Sequence, residues 1–530
     1  MRYPRPSSTN APGMWSSLAE HLIKTIFYSL FVIHAVQSAQ RSSTTFSYWI
    51  NSIIGLFALW MVKGEVDIAI KRLQLKLPPG CLGFPIYREI KFLQAIASGG
   101  GGVGPILLNS RRKYGTIFTE HFFGRLDVVV GGEDDLTWLF SSDRNASTEI
   151  SWPPNIVMLL GPGAVANQTG KYHRSLRRLM EPCFAPKFVT NYLAIIDQTT
   201  LEELDSWSSS GEFLSSELFK MYALKLFYAA SFGRVDEDVI VTLHDDFKIW
   251  LGGFFAFTTK RIPGTSIDKG MKARDRIRKT VGQLIDKFMK DNSEESERSQ
   301  TTVIGRLIYG KDKQNNRMMT HDEIKDNLLN LIFAGHDTTY ASISTLLYHL
   351  SQNPHVMEAL AEEVSTLSDP LRSDELKGAP ILNACMHESW RMDPPAGGGF
   401  RKAVKDIQYK GYSFDNGTIF NYSIFLPTTD ESLYKNHDKF NMTRFLPKDH
   451  PLYQAEMDAG IDPLQGRTNY PIFGGGSHAC LGKAFAQLEL RVLAVRMMKH
   501  YKIEVRNPQR ILFPINGWNI EFKLTKMKDE

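Results

Sequence analysis

A chain of 530 residues can hold more than one domain, and a hydrophobic share of 43% with 11% aromatics allows a sizeable core. A net charge of +5 is too mild to argue for a nucleic-acid partner. Four cysteines, at Cys81, Cys183, Cys385 and Cys480, are too few and too widely spaced for a secreted disulfide framework, and no internal repeat is present.

Two apolar segments come first, at residues 22–36 and 46–62. The second is at the short end of what spans a bilayer. Lys63, Lys71, Arg72 and Lys76 follow it, a basic flank that favours the cytosolic side for the rest of the chain. The first segment reads either as a second span or as a targeting peptide ending near VQSAQ. Residues 1–72 are therefore expected to be a targeting and membrane-anchor region, and residues 73–530 the working domain. The endoplasmic reticulum is the expected membrane, with a plastid or other organelle left open. Sequons at Asn145 and Asn167 would stay unmodified in a cytosolic domain.

The glycine run at residues 98–104 is similar to a dinucleotide loop but lacks a preceding strand, so it reads as a flexible loop. The segment YHRSLRRLM places His173 and Arg177 four residues apart on one helix face, which alone describes an ordinary basic surface. Residues 291–302 form a polar, charged linker. The apolar run at 324–350 predicts a long central helix, with FAGHDTT set inside it. Gly335 weakens such a helix, and Asp337 with Thr338 must be satisfied in an otherwise buried element. In HESWRMDPP, Glu388 and Arg391 are three apart and close enough to pair.

Near the C-terminus, FGGGSHACLG sets Cys480 among glycines. A zinc site would need a second ligand at better spacing than His478 offers. A nucleophile, a lone thiolate ligand and an inert buried cysteine remain. Gly474, Gly475 and Gly476 permit positive φ and close backbone approach, and Gly482 repeats that demand after the cysteine. Phe485, Leu488, Val492, Val495 and Met498 then recur at helical spacing, so Cys480 lies just before a helix N-terminus, which favours a thiolate. A glycine-lined thiolate suggests haem iron held by cysteine.

These residues resemble the cytochrome P-450 family. Phe473, Gly476, His478, Cys480 and Gly482 fit its F-x-x-G-x-[RH]-x-C-x-G pattern, and FAGHDTT, the Glu-x-x-Arg pair and the His173/Arg177 helix follow in the family's order over roughly residues 75–525. The resemblance implies a mainly α fold with small β-sheets, and haem b buried between the central helix and the cysteine loop. It implies that Cys480 is the axial iron ligand, and that Asp337 and Thr338 deliver protons to bound dioxygen. His173, Arg177, Arg401 and His478 would hold the haem propionates. Glu388 and Arg391 would be completed by Arg444 in a structural network, although the usual acid before that arginine is replaced by Thr443.

A haem monooxygenase needs O2 and electrons. Only fifty residues follow Cys480, with no further glycine-rich cofactor region, so an NADPH-dependent reductase or a ferredoxin is the expected partner. Lys483, Arg491, Arg174 and Arg178 are the basic contacts expected to meet it. The chain looks most like the branch with retinoic-acid, sterol and triterpenoid hydroxylases, implying an apolar isoprenoid substrate, oxidised once or in successive rounds to an acid. Small residues from Ala396 to Gly399 would leave space over the haem edge, and residues 152–168 would form a mobile apolar lid, facing a wall at 513–518. The alternatives are a sterol or triterpenoid ring hydroxylase, an isomerase or dehydratase of the same family, and a non-enzymatic haem or lipid-binding membrane protein.

Overall fold

The central helix runs from His321 to Gln352 without a break at Gly335. It starts in a capping box, in which the Thr320 hydroxyl accepts from the Glu323 N–H while the Glu323 carboxylate accepts from the Thr320 N–H at 2.8 Å. It stops at Asn353, because Pro354 opens the next helix and cannot extend this one. Most of its length is buried, which compensates for the glycine and the β-branched residues that propensity alone disfavours.

The computed structural model describes residues 77–80, 103–122, 125–142, 146–233, 236–254, 256, 259–312, 314–459, 471–511 and 516–527, with isolated positions at 37, 55, 56 and 63. These fall into two compact units, one drawn from Met1–Thr148 and Phe400–Leu426, the other from Glu149–Gly399 and Pro427–Glu530. Helices dominate and the sheets are small, as the sequence led us to expect.

In the first unit, strands Ile117–Phe122 and Arg125–Val130 form an antiparallel hairpin, and Val128 to Val130 pair in parallel with Phe420 to Tyr422. Ile117, Val128, Val130, Leu136, Leu139, Phe414 and Phe420 make its core. Each fully buried aliphatic or aromatic side chain there is worth about 1.5–3 kcal/mol.

The second unit carries the central helix and the helix Lys483–His500. The predicted stripe Leu488, Val492, Val495 and Met498 is buried, but so are Glu489 and Arg496, so this helix is buried on more than its apolar face. Arg496 is held by Asp197 at 2.7 Å and Asp369 at 3.0 Å. A second apolar cluster joins Trp250, Ile277, Leu328 and Ile332. The strands Tyr501–Ile511 and Gly517–Lys526 pair antiparallel, with Glu212–Leu214 on the outer edge.

Among the described residues no helix is long and apolar enough to cross a membrane. The two apolar segments expected to do so lie outside the described residues, apart from Gly55 and Leu56.

Candidate functional site

The loop from Phe473 to Gly482 is folded by its glycines. Gly474 and Gly476 both sit at φ +68°, a left-handed conformation in which a side chain is strained. Gly475 is extended at φ −161° and Gly482 is at φ −83°, so the predicted demand for positive φ on both sides of the cysteine holds only on the first side. The Cys480 N–H donates to the Phe473 carbonyl at 2.7 Å, closing the loop. Gly482 caps the helix that begins at Lys483. The Cys480 side chain is accessible although protein packs densely around it, so the thiol does not fill a core. Burial pushes its thiol pKa up, while the Gly482 N–H, Arg177 and Lys483 favour the thiolate.

The middle of the central helix is open where its flanks are closed. Ala334 and Gly335 are exposed, and a Cβ added to Gly335 would meet nothing within 4 Å. The Thr338 hydroxyl donates back to the Ala334 carbonyl at 2.6 Å, on this open side. Asp337 does not join it. Its carboxylate is buried and lies 3.0 Å from Lys220 Nζ and 3.0 Å from His336 Nδ1. Burial alone would raise the pKa of Asp337, but His336 and Lys220 outweigh it and hold the group at about 2, ionised at neutral pH. The next residue, Thr339, donates to Glu489 at 2.6 Å and so ties the central helix to the helix that follows Cys480.

His173 and His478 come together, though as a pair: their rings stack with centroids 3.9 Å apart. A nitrogen of His478 also lies 3.3 Å from the Gln168 carbonyl. Arg177, one turn after His173, is half-buried; burial lowers its pKa, and among the described residues it makes no hydrogen bond or close ion pair. A half-buried guanidinium near Cys480 suits an anionic group such as a propionate. Arg401 belongs to the first unit, where it is buried, donates to the Phe400 carbonyl at 3.2 Å and lies 5.4 Å from the Tyr422 ring.

Glu388, Arg391 and Arg444 form the expected network. Arg391 grips both oxygens of Glu388, at 2.7 and 2.9 Å, and also donates to the carbonyls of Thr428 and His437. Arg444 reaches Glu388 at 3.3 Å and the Lys435 carbonyl at 2.6 Å. The missing acid beside Arg444 is supplied from another element: Glu456 accepts from the Thr443 hydroxyl at 2.6 Å and from the Asn441 amide at 3.0 Å.

Three features escaped the sequence. Residues 152–168 are no free lid. Asn327 donates to the Gly163 carbonyl and accepts from Val165, Asp326 accepts from Gly163, and Trp152 closes the loop onto Ala166 at 3.0 Å. Arg491 is half-buried and donates to Asn383 at 2.8 Å, which removes it from a docking face, whereas Arg174, Arg178 and Lys483 are exposed. Glu489 is fully buried, and burial lifts its carboxyl to about 8 against the Thr339 bond. Its signal was a lone acid inside an apolar helical run. The wall expected at 513–518 falls partly outside the described residues.

Comparison with known proteins agrees. The cytochrome P-450 family model matches residues 78–527. A protein described as cytochrome P-450 120, of Synechocystis sp., is 29% identical over 434 residues, covering 81% of this chain and 90% of that one. A taxane 13-alpha-hydroxylase of Taxus cuspidata is 27% identical over 463 residues, covering 84% and 92%. The solved structure of a retinoic-acid-bound cyanobacterial CYP120A1 superposes with a TM-score of 0.73 at 27% identity, covering 86% of this chain and all of that one.

Proposed function

The chain belongs to the cytochrome P-450 family, haem-b monooxygenases fed by a redox partner, and we propose that it hydroxylates an apolar isoprenoid, a retinoid or terpenoid, at a site headed by Cys480. One observation carries the site: an accessible cysteine with protein packed densely around it, joined through Glu489 and Thr339 to a helix whose midpoint is open at Ala334 and Gly335. These residues fit haem. Cys480 would hold the iron, Gly474 and Gly476 let the loop lie flat beside the ring, and Arg177 with the His173–His478 stack would meet a propionate. Haem, when bound, supplies the iron that activates oxygen.

The protein supplies the rest. Thr338 holds a hydroxyl on the open side of the helix, and its back-bond to Ala334 leaves the oxygen lone pairs free to accept a proton. Asp337 stores a charge behind it, held by Lys220 and His336. The buried Glu388–Arg391–Arg444 network keeps the polypeptide before the cysteine loop in place and takes no part in the chemistry. Electrons come from a separate reductase or ferredoxin, for which Arg174, Arg178 and Lys483 offer exposed positive charge.

The substrate class is supported by the names of the relatives, a taxane hydroxylase and a structure with retinoic acid bound. The open space at Ala396 and Gly397 supports it too, because a long apolar chain needs that room. Titration of the haem absorbance with retinoic acid and with a taxane-type diterpenoid tests it. A saturable shift of the haem absorbance with either, lost in Ala396→Phe, is the expected result. Failure of both to shift the spectrum overturns the isoprenoid assignment. Residues 1–72 are proposed as the membrane anchor, with the catalytic domain on the cytosolic face of the endoplasmic reticulum. Removing them should move the protein to the soluble fraction with its haem retained, and a truncated chain that still sediments with membranes contradicts that.

A further inference from the structure

Two buried imidazoles sit behind Asp337 with unanswered nitrogens. His336, on the central helix, and His244, on the helix Glu237–Phe254, are 2% and 3% exposed, and their ring centroids lie 5.8 Å apart at a tilt of 49°. His336 Nδ1 is 3.0 Å from Asp337 Oδ1. Asp337 is ionised and only accepts, so that nitrogen carries the proton and Nε2 presents a lone pair. His336 Nε2 and His244 Nδ1 are both buried without a hydrogen-bond partner. Two orphaned nitrogens on neighbouring buried rings are costly to keep unless something such as a water passes between them.

We propose that His244 and His336 form a relay that carries protons, through a single water, from the exposed Glu217–Lys248 pair to Asp337. Glu217, 59% exposed on the helix Ser215–Phe232, and Lys248, 44% exposed on the helix of His244 itself, lie 3.2 Å apart. In each passage one proton is taken up at His336 Nε2 and one is released from Nδ1 to Asp337, so the ring ends neutral in the Nε2–H tautomer, and the starting tautomer returns when exchange with water puts a proton on Nδ1 and removes the one on Nε2. Asp337 hands its proton toward the Thr338 hydroxyl. The charged and titratable groups around the pair are Glu217 and Lys220 from the helix Ser215–Phe232, Asp245 and Lys248 from the helix of His244, and Asp337 on the central helix. Burial, foremost, holds both histidines below their ordinary value, His244 at about 4, so each is neutral at pH 7 and free to accept.

The inference rests on the reading of Asp337 and Thr338 as the proton-delivering pair, and the test separates the two. In the full-length, haem-loaded protein with 15N-labelled histidine, as the reduced carbon-monoxide form, His336 should show the Nδ1–H tautomer with a hydrogen-bonded Nε2. His244→Phe should move that Nε2 resonance, whereas Thr338→Ala should leave it in place. An Nε2–H tautomer, or an Nε2 resonance unmoved in His244→Phe, overturns the relay. In NADPH oxidation at saturating reductase, measured in H2O and D2O, His244→Phe should slow turnover several-fold and raise the solvent isotope effect. His336→Asn keeps a donor for Asp337 but cannot exchange a ring proton, and should do the same, with the double variant no slower than the slower single one. If only Lys220→Gln raises the isotope effect, protons reach Asp337 past the lysine and the relay is wrong.

Discussion

The Glu388 network and the Ala334–Thr338 stretch of the central helix both put polar groups into an apolar interior, and they are built in opposite ways. Around Glu388 the ion pairs and hydrogen bonds interlock: one carboxylate meets two guanidiniums, and these reach the carbonyls of Thr428, His437 and Lys435. Around Asp337 the bonding is incomplete. The acid is bonded, but the histidine behind it has an unanswered nitrogen, and the hydroxyl beside it folds back on its own helix. A saturated network resists change and fits a structural role, while an unsaturated one can take up and release protons. The two regions should therefore fail differently when damaged.

The largest effect is expected at Glu388. Glu388→Ala leaves two buried guanidiniums without their carboxylate, at a cost of about 3–5 kcal/mol. Urea unfolding should show that loss, with poor haem retention, whereas an unchanged midpoint would make the network dispensable and erase the contrast. Glu489 comes next. Its folded-state pKa, at about 8, lies above the unfolded value, so its contribution is complete below about pH 4 and is lost as pH rises through 8. Unfolding free energy measured from pH 5 to 9 should fall by roughly 2–4 kcal/mol more in the parent protein than in Glu489→Gln. Parallel curves would mean that the carboxyl is ionised throughout.

A smaller loss, about 1 kcal/mol, is expected for Glu456→Gln, which weakens the contacts to Thr443 and Asn441 without emptying the site. The smallest change in stability, under about 0.5 kcal/mol, belongs to Thr338→Ala, because its hydroxyl bonds only its own helix. The same variant should divert electrons to peroxide at the expense of product. Unaltered coupling would place Thr338 with the structural residues.

Much of this site was legible because its parts are local in sequence. The spacing of Glu388 and Arg391, the glycines before Cys480 and the apolar run of the central helix each fix geometry within a few residues, and each survives in the structure. Tertiary partners were not legible. No sequence pattern announces that Lys220 and His336 claim Asp337, that Glu456 replaces the missing acid, or that Asn327 staples residues 152–168 to the central helix. Gly482 teaches a related lesson: glycine is compatible with positive φ but does not require it, and there the residue simply caps a helix.

Cys480 decides whether this protein is a haem-thiolate enzyme. The reduced, carbon-monoxide-bound protein should show the long-wavelength Soret band of thiolate-ligated haem. Cys480→His should keep the fold and bind haem, with that band replaced by the shorter-wavelength one of imidazole ligation and with turnover lost. A Cys480→His protein that retained the thiolate band would contradict the assignment outright.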